Sequence, residues 1–237
     1  MNKSEKLKPL RKGLGNLVRG VRPAPPPPKE SGRPQAFKGF IASDDFLPEG
    51  PRTYIVFGSP RGGTTMVAGV ARALGLFVGG AELNEDNNED MLFAGRPLGE
   101  MRATIEARNQ NHETWGWKFP TAGNYLADLL PQVRNPQLIC VFRDSVATAQ
   151  RKIGPKSLDD IGRVEWNMKR HMNNLRLLRA AKAPTMLISY EKAVLSPRPF
   201  VEAFGKRIGL SPDYNAFDYD GFLAPASYKA FAEYRKN

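Results

Sequence analysis

Residues 53–75 read TYIVFGSPRGGTTMVAGVARALG. The β-branched and aromatic run Thr53–Phe57 reads as a buried strand. The segment Gly58-Ser-Pro-Arg-Gly-Gly-Thr-Thr65 reads as a turn, and Thr64–Leu74 carries apolar residues at helical spacing. Strand, glycine-rich loop and helix in immediate succession form an anion-binding unit: glycines let amides face a ligand, and the helix start adds partial positive charge. Working outward, further strands are predicted at Thr114–Phe119, Gln137–Phe142 and Thr185–Ser189. Helical stretches follow each, at Ala122–Leu130, at Ser145–Lys152 extending toward Ser157–Ala181, and at Arg198–Ile208; another, Leu98–Arg108, precedes the second strand. This alternation predicts an α/β fold, a P-loop-type doubly wound parallel sheet flanked by helices.

The loop departs from a nucleoside-triphosphate site in an informative way. Gly58 and Gly63 meet the G-x4-G spacing of the Walker A motif, but Thr64 stands where its lysine belongs, and the cation, Arg61, lies inside the loop. The missing lysine normally bridges β- and γ-phosphates, so the loop suits a different anion. Arg61, Gly62, Gly63, Thr64 and Thr65 are its candidate ligand-binding residues. A second segment, PQLICVFRDSVATAQRK (136–152), is a strand ending in Arg143 and Asp144 and followed by a helix carrying Arg151 and Lys152. Strand C-terminal edges are where open α/β sheets bind ligands, and Arg143 offers a planar fork to a phosphate. A third, WGWKFP (115–120), sets Lys118 at a strand end.

The whole chain has 237 residues, 41% of them hydrophobic, enough for one principal domain with a real core. Cys140 is the one cysteine, so no disulfide and no cysteine-rich metal cluster is expected, and His112 and His171 have no third ligand at suitable spacing. The net charge of +11 is concentrated at one end: residues 1–40 carry ten Lys/Arg against two acids, the remainder 25 against 22. VRPAPPPPKESGRP (21–34) reads as a spacer, so residues 1–50 are assigned to a disordered basic, proline-rich tail and linker and residues 51–237 to the catalytic domain. Leu7, Leu10, Leu14, Leu17, Val18 and Val21 recur among lysines and arginines. That stripe fits a helix lying on anionic lipid, and a merely solvated basic tail is the competing reading. No apolar run approaches the ~20 residues that span a bilayer, so a cytoplasmic protein is expected, peripheral at the inner membrane face if the tail docks there, with nucleic acid not favoured as partner.

Together these residues resemble the sulfotransferases that use 3′-phosphoadenosine-5′-phosphosulfate (PAPS). Pro60 to Thr65 match that family's P-R-[SG]-G-T-T loop, Val141-Phe-Arg-Asp144 its strand-end motif, residues 115–120 its W-G-W-K-x-P element, and Ser189-Tyr190-Glu191 its late Y-E, all in family order over roughly Tyr54 to Leu210. The resemblance implies that the loop holds the 5′-phosphosulfate, that Arg143 holds the 3′-phosphate, and that Arg61 and Lys118 stabilise charge during transfer from PAPS. The acceptor would be a hydroxyl, or an amine, of a carbohydrate, glycolipid or small molecule, with adenosine 3′,5′-bisphosphate (PAP) as product and no metal. The chain also departs from the family. Arg151 occupies the position eight residues after Arg143 where a serine is usual, and is retained as a candidate phosphate-binding residue because a guanidinium keeps anion binding with altered geometry. The K-T-H segment that supplies a histidine base is replaced by Lys118-Phe119-Pro120, and the C-terminal R-K-G loop is absent. The resemblance therefore implies the bacterial, carbohydrate-type branch with a carboxylate base from AELNEDNNEDMLF (81–93). Glu89, 28 residues after Arg61, is favoured through its N-E-D context, and Glu82, 21 after it, is the reserve. Two other classes remain open: a magnesium-dependent P-loop kinase or nucleotidase, and a non-catalytic, membrane-tethered binding module.

Overall fold

Strand β2 (Arg52–Gly58) is buried at all seven positions. Its side chains alternate between two apolar clusters, Tyr54 and Val56 entering one and Ile55 and Phe57 the other. A strand covered on both faces is the signature of a parallel sheet layered by helices. The computed structural model describes residues 37–46, 49–152, 154–224 and 231–236. The chain partitions into Met1–Arg33 and Pro34–Asn237. The first unit, with the expected disorder and membrane docking of the tail, lies outside the described residues.

β2 pairs in parallel with β5 (Thr114–Lys118) on one side and with β6 (Pro136–Phe142) on the other, and β6 pairs in parallel with β7 (Thr185–Ser189). β1 (Phe40–Ala42) closes the far edge antiparallel to β7, giving the order β1-β7-β6-β2-β5. The chain leaves β2 toward β5 and later crosses back to β6. The connections thus diverge at β2, and the crevice at its C-terminal end is the switch point where α/β sheets take ligands.

One face is covered by α1 (Thr64–Ala73), α7 (Pro197–Ile208) and α8 (Tyr219–Leu223), whose Val67, Val70, Phe200, Phe204 and Phe222 share a cluster with Tyr54 and Val56. The opposite face packs α2 (Leu98–Asn111), the short α3 (Leu126–Leu129) and α5 (Asp160–Ala181) around Trp115 and Trp117. Burying such rings contributes on the order of 2–3 kcal/mol each. Between α1 and α2 lies a small hairpin of β3 (Leu83–Asn84) and β4 (Glu89–Asp90).

The structure departs from the sequence reading locally. Phe40–Ala42, assigned above to the tail and linker, is an edge strand. Its signal is short, and its partner Ile188 is far away in sequence. The helix expected to run from Ser145 toward Ala181 is two helices, α4 (Ser145–Ala149) and α5. Lys152 and Gly154 adopt positive φ, Pro155 follows, and Asp159 restarts the helix by accepting from the Gly162 amide at 2.7 Å. Ala122–Leu130 is a 3₁₀ turn at Ala122–Asn124 followed by α3. A further short helix, α6 (Tyr190–Leu195), capped by Ser189, begins directly after β7.

Candidate functional site

The Gly58–Thr65 loop turns tightly because two of its residues, Arg61 (φ 58°) and Gly63 (φ 90°), occupy the left-handed region. The Gly62 amide donates to the Ser59 carbonyl at 2.8 Å, closing the turn. A Cβ on Gly63 would stand 2.2 Å from the Tyr190 ring, so that position requires glycine twice over, for its backbone angle and for its neighbour. Gly63 then caps α1 with no side chain accepting from the helix start among the described residues; Gly63, Thr64 and Thr65 line the crevice, and their amides, at the helix start, have no intrahelical acceptors. The sequence reading assigned Gly62 an anion-facing amide. The structure engages that amide with the Ser59 carbonyl, so Gly62 closes the turn.

Lys118, the last residue of β5, is fully buried. Its ammonium donates to Glu89 Oε1 (2.9 Å), to the Asn87 carbonyl (3.0 Å) and to Thr65 Oγ1 (3.2 Å). All three N–H donors of the amine are thereby engaged, and a single side chain ties the hairpin turn to the glycine loop. Burial pushes its pKa down to about 8, against the opposing pull of Glu89; Arg61 adds to the depression.

The hairpin register separates adjacent carboxylates. Glu89 and Asp90 are consecutive on β4 and point to opposite sides. Asp90 is fully buried, pairs with Arg108 of α2 and accepts from the Leu92 amide at 3.2 Å. Arg108 in turn lies over the Phe77, Phe93 and Trp115 rings. Breaking such a pair by removing one partner costs about 3–5 kcal/mol, so Asp90 anchors the hairpin. Glu89, held by this anchor, faces the loop with its side chain 23% exposed. Glu82 precedes β3 in an exposed turn; its carbonyl accepts from Met91, and its side chain is absent from the cavity wall. Of the two carboxylates singled out above, the structure brings one, Glu89, to the loop.

Arg143, just past β6, is half-buried beside the same loop. Its guanidinium donates to the Arg61 carbonyl at 3.1 Å and lies 4.4 Å over the Tyr190 ring, while its Nε is buried with no partner among the described residues. Glu191 accepts from the Asp144 amide at 2.8 Å. The three sequence segments thus interlock: Arg143 grips the loop, Tyr190 packs on Gly63 and under Arg143, and Glu191 holds the turn after Arg143. Arg151 is exposed just past α4 and, like Arg143, is not among the residues that line the cavity around Lys118.

That cavity, of about 290 Å³, is bounded by Arg61, Thr65, Glu89, Lys118 and Tyr190 and closed by Phe222, Leu223 and Ala224. Sequence reading left the last three unassigned, because the region after Leu210 has little periodic pattern. It also did not single out Asn87, whose contribution is a backbone carbonyl and leaves no side-chain signal. His112 stacks on Phe77 at 4.0 Å, and His171 stacks on Phe142 at 4.8 Å with burial lowering its pKa. Among the described residues no group of three or more His, Cys, Asp or Glu comes together as a metal site, and no helix is long and apolar enough to cross a membrane.

Fold and site define a class: an open, mostly parallel α/β sheet whose switch point carries a glycine-rich strand-to-helix loop, a buried lysine paired with a glutamate, and a braced arginine. Among solved structures the chain is similar to the sulfotransferase domain from the Synechococcus PCC 7002 olefin synthase, with a TM-score of 0.49, 17% sequence identity, and coverage of 80% of this chain and 86% of that one. No protein-family model matches the sequence, and no curated protein matches it.

Proposed function

We propose that this protein transfers a sulfuryl group from PAPS to an acceptor hydroxyl. The observation that carries the reading is the Lys118 ammonium, buried and bound at once to Thr65 of the loop and to Glu89. A cation and a carboxylate there meet an anionic donor and an acceptor proton at one point. The residues fit such a donor: helix-start amides from Gly63 to Thr65, the Arg61 side chain, and an arginine whose buried Nε has no partner. PAPS, when bound, supplies an activated sulfuryl group and a phosphate leaving group. The chain's residues do the rest by positioning and charge. The amides and Arg61 hold the phosphosulfate end, and Arg143 takes the 3′-phosphate. Lys118 has three donors and three acceptors, so it reaches a new oxygen only by releasing one of them; release of Glu89 leaves that carboxylate free to accept the acceptor's proton. The same loop, with Thr64 in place of the Walker lysine, argues against a triphosphate.

Titration with PAP and ATP, each with and without magnesium, tests the reading. Metal-independent preference for PAP is expected; magnesium-dependent ATP binding would replace sulfuryl transfer with the kinase class, and no binding of either would leave a non-catalytic module. Arg143→Ala is expected to weaken PAP more than adenosine 5′-phosphosulfate, by about tenfold or more, since PAP alone carries the 3′-phosphate. Equal losses would mean that Arg143 acts through the Arg61 carbonyl and the loop rather than on that phosphate.

The depressed Lys118 pKa has a sign that can be read. Above about pH 8 the free protein's amine loses its proton, and with it the cation that stabilises the leaving group. A plot of kcat/KM, which reports the free enzyme, is therefore expected to descend as pH rises through that value. In Lys118→Arg the descent should vanish from the range below pH 10, because a guanidinium stays charged there. A wild-type profile flat to pH 10 would remove Lys118 from the chemistry.

A further inference from the structure

A second cavity, of about 260 Å³, opens at the same C-terminal edge of the sheet. Gly58, the last residue of β2, and Thr121, just beyond β5, line it. The Gly58 amide donates to the Pro120 carbonyl at 3.1 Å, and Pro120 lines the first cavity, so one hydrogen-bonded wall separates the two. The other wall is α5, which presents Trp166, Arg170 and Asn174 at successive i, i+4 positions on one face. The helix is fastened to the loop through Asn167, whose Oδ1 accepts from Ser59 Oγ at 2.5 Å.

Lys169, exposed, and the half-buried Arg170 line this second cavity, and among the described residues no carboxylate lines it. Arg170 stacks 4.2 Å over the Trp166 ring, and its Nε is buried with no hydrogen-bond partner among the described residues. Burial lowers its pKa, as expected for a guanidinium partly stripped of water without a counter-charge. Asn174 is 8% exposed, and its Nδ2 likewise has no partner. Both orphaned atoms are donors, and buried donors are normally paired. A cluster of unpaired donors and positive charge, rimmed by Thr and Asn side chains, calls for a ligand that brings acceptors and negative charge.

We infer that this cavity receives an oxyanion, a phosphate, sulfate or carboxylate, borne by a hydroxyl-rich acceptor whose reacting hydroxyl reaches the neighbouring Lys118–Glu89 pair. The oxyanion site stands on the cavity itself; that its bearer is the acceptor rests on the sulfuryl-transfer reading. Arg143, assigned to the nucleotide, does not line the Trp166 cavity. An anionic sugar or glycolipid headgroup fits, and a neutral phenol does not.

The test follows the indole ¹H–¹⁵N resonance of Trp166, assigned through Trp166→Phe, while full-length protein is titrated with glucose 6-phosphate, glucose or inorganic phosphate, with and without saturating PAP. Glucose 6-phosphate is expected to shift the resonance with an apparent Kd at least about tenfold below that of glucose, whether or not PAP is present, and Arg170→Gln should raise that Kd about tenfold. Arg170→Lys, which keeps the charge, should retain the preference and so separates loss of the ion pair from loss of fold. A silent Trp166, equal binding of glucose and its phosphate, or an unaffected Arg170→Gln variant would overturn the oxyanion site. Displacement of the sugar phosphate by PAP would show that the anion belongs to the nucleotide, and inorganic phosphate binding as tightly as the sugar phosphate would overturn the hydroxyl-rich bearer. A protein that binds glucose 6-phosphate at Trp166 but not PAP keeps this site and loses the sulfuryl-transfer reading, whereas one that binds PAP with Trp166 silent does the reverse.

Discussion

Replacing Glu89 by Gln is expected to lower sulfuryl transfer by ~10²–10⁴-fold while PAP affinity stays within a small factor, because general-base help of this size is lost without removing a nucleotide contact. The substitution is nearly isosteric and leaves the Asp90–Arg108 anchor intact, so the hairpin should keep its register. Glu82→Gln is the internal control: its side chain is exposed and outside the cavity, and transfer should stay within about twofold, as for a surface site unconnected to the chemistry. Rates measured with labelled PAPS on both variants decide the matter. If Glu82→Gln is the more damaged enzyme, the hairpin does not present its base as described.

Lys118→Met is expected to reduce kcat/KM by ~10²–10³-fold, the range found when a preorganised charge stabiliser is removed from an active site. The loss should not come from unfolding. Lys118 is fully buried, and methionine fills similar space without the desolvation penalty of an ammonium. Glu89, partly exposed, can turn to water once its partner is gone. The freed Asn87 carbonyl and Thr65 hydroxyl offset the relief of burial, so the thermal midpoint should shift by only a few degrees while activity falls by orders of magnitude. Activity and midpoint falling together would make Lys118 a structural strut between hairpin and loop; activity retained within a few-fold would remove it from the mechanism.

The two substitutions probe one arrangement from its two ends, and they are coupled. Glu89 supports the protonated form of Lys118, and Lys118 holds Glu89 against the loop. In a double variant the losses should therefore fall short of the product of the single ones, as for residues that act as a unit.

The sequence by itself determined what depends on neighbours along the chain. The strand, the loop and the helix start at residues 53–75 lie within one supersecondary unit, so their residue types and spacing already specify the order strand, glycine-rich turn, helix and the presence of a cation, Arg61, inside the turn. The same holds for Arg143 at the end of its strand and Lys118 at the end of another, since strand ends gather at one edge of a parallel sheet. Spacing could not choose between Glu82 and Glu89, because both occur in one polar interval with no periodic pattern. Which of them faces the loop is decided by a register: Asp90 buries itself on Arg108, and pleat alternation then turns Glu89 the other way. Nor could sequence show that Gly62 donates inward to Ser59, that Phe40–Ala42 finds an edge beside β7, or that the Arg170 guanidinium lacks a counter-charge. Each of these is a statement about partners distant in the chain or hidden in the backbone. Only the packed tertiary structure brings such groups within the few ångströms over which hydrogen bonds and ion pairs act.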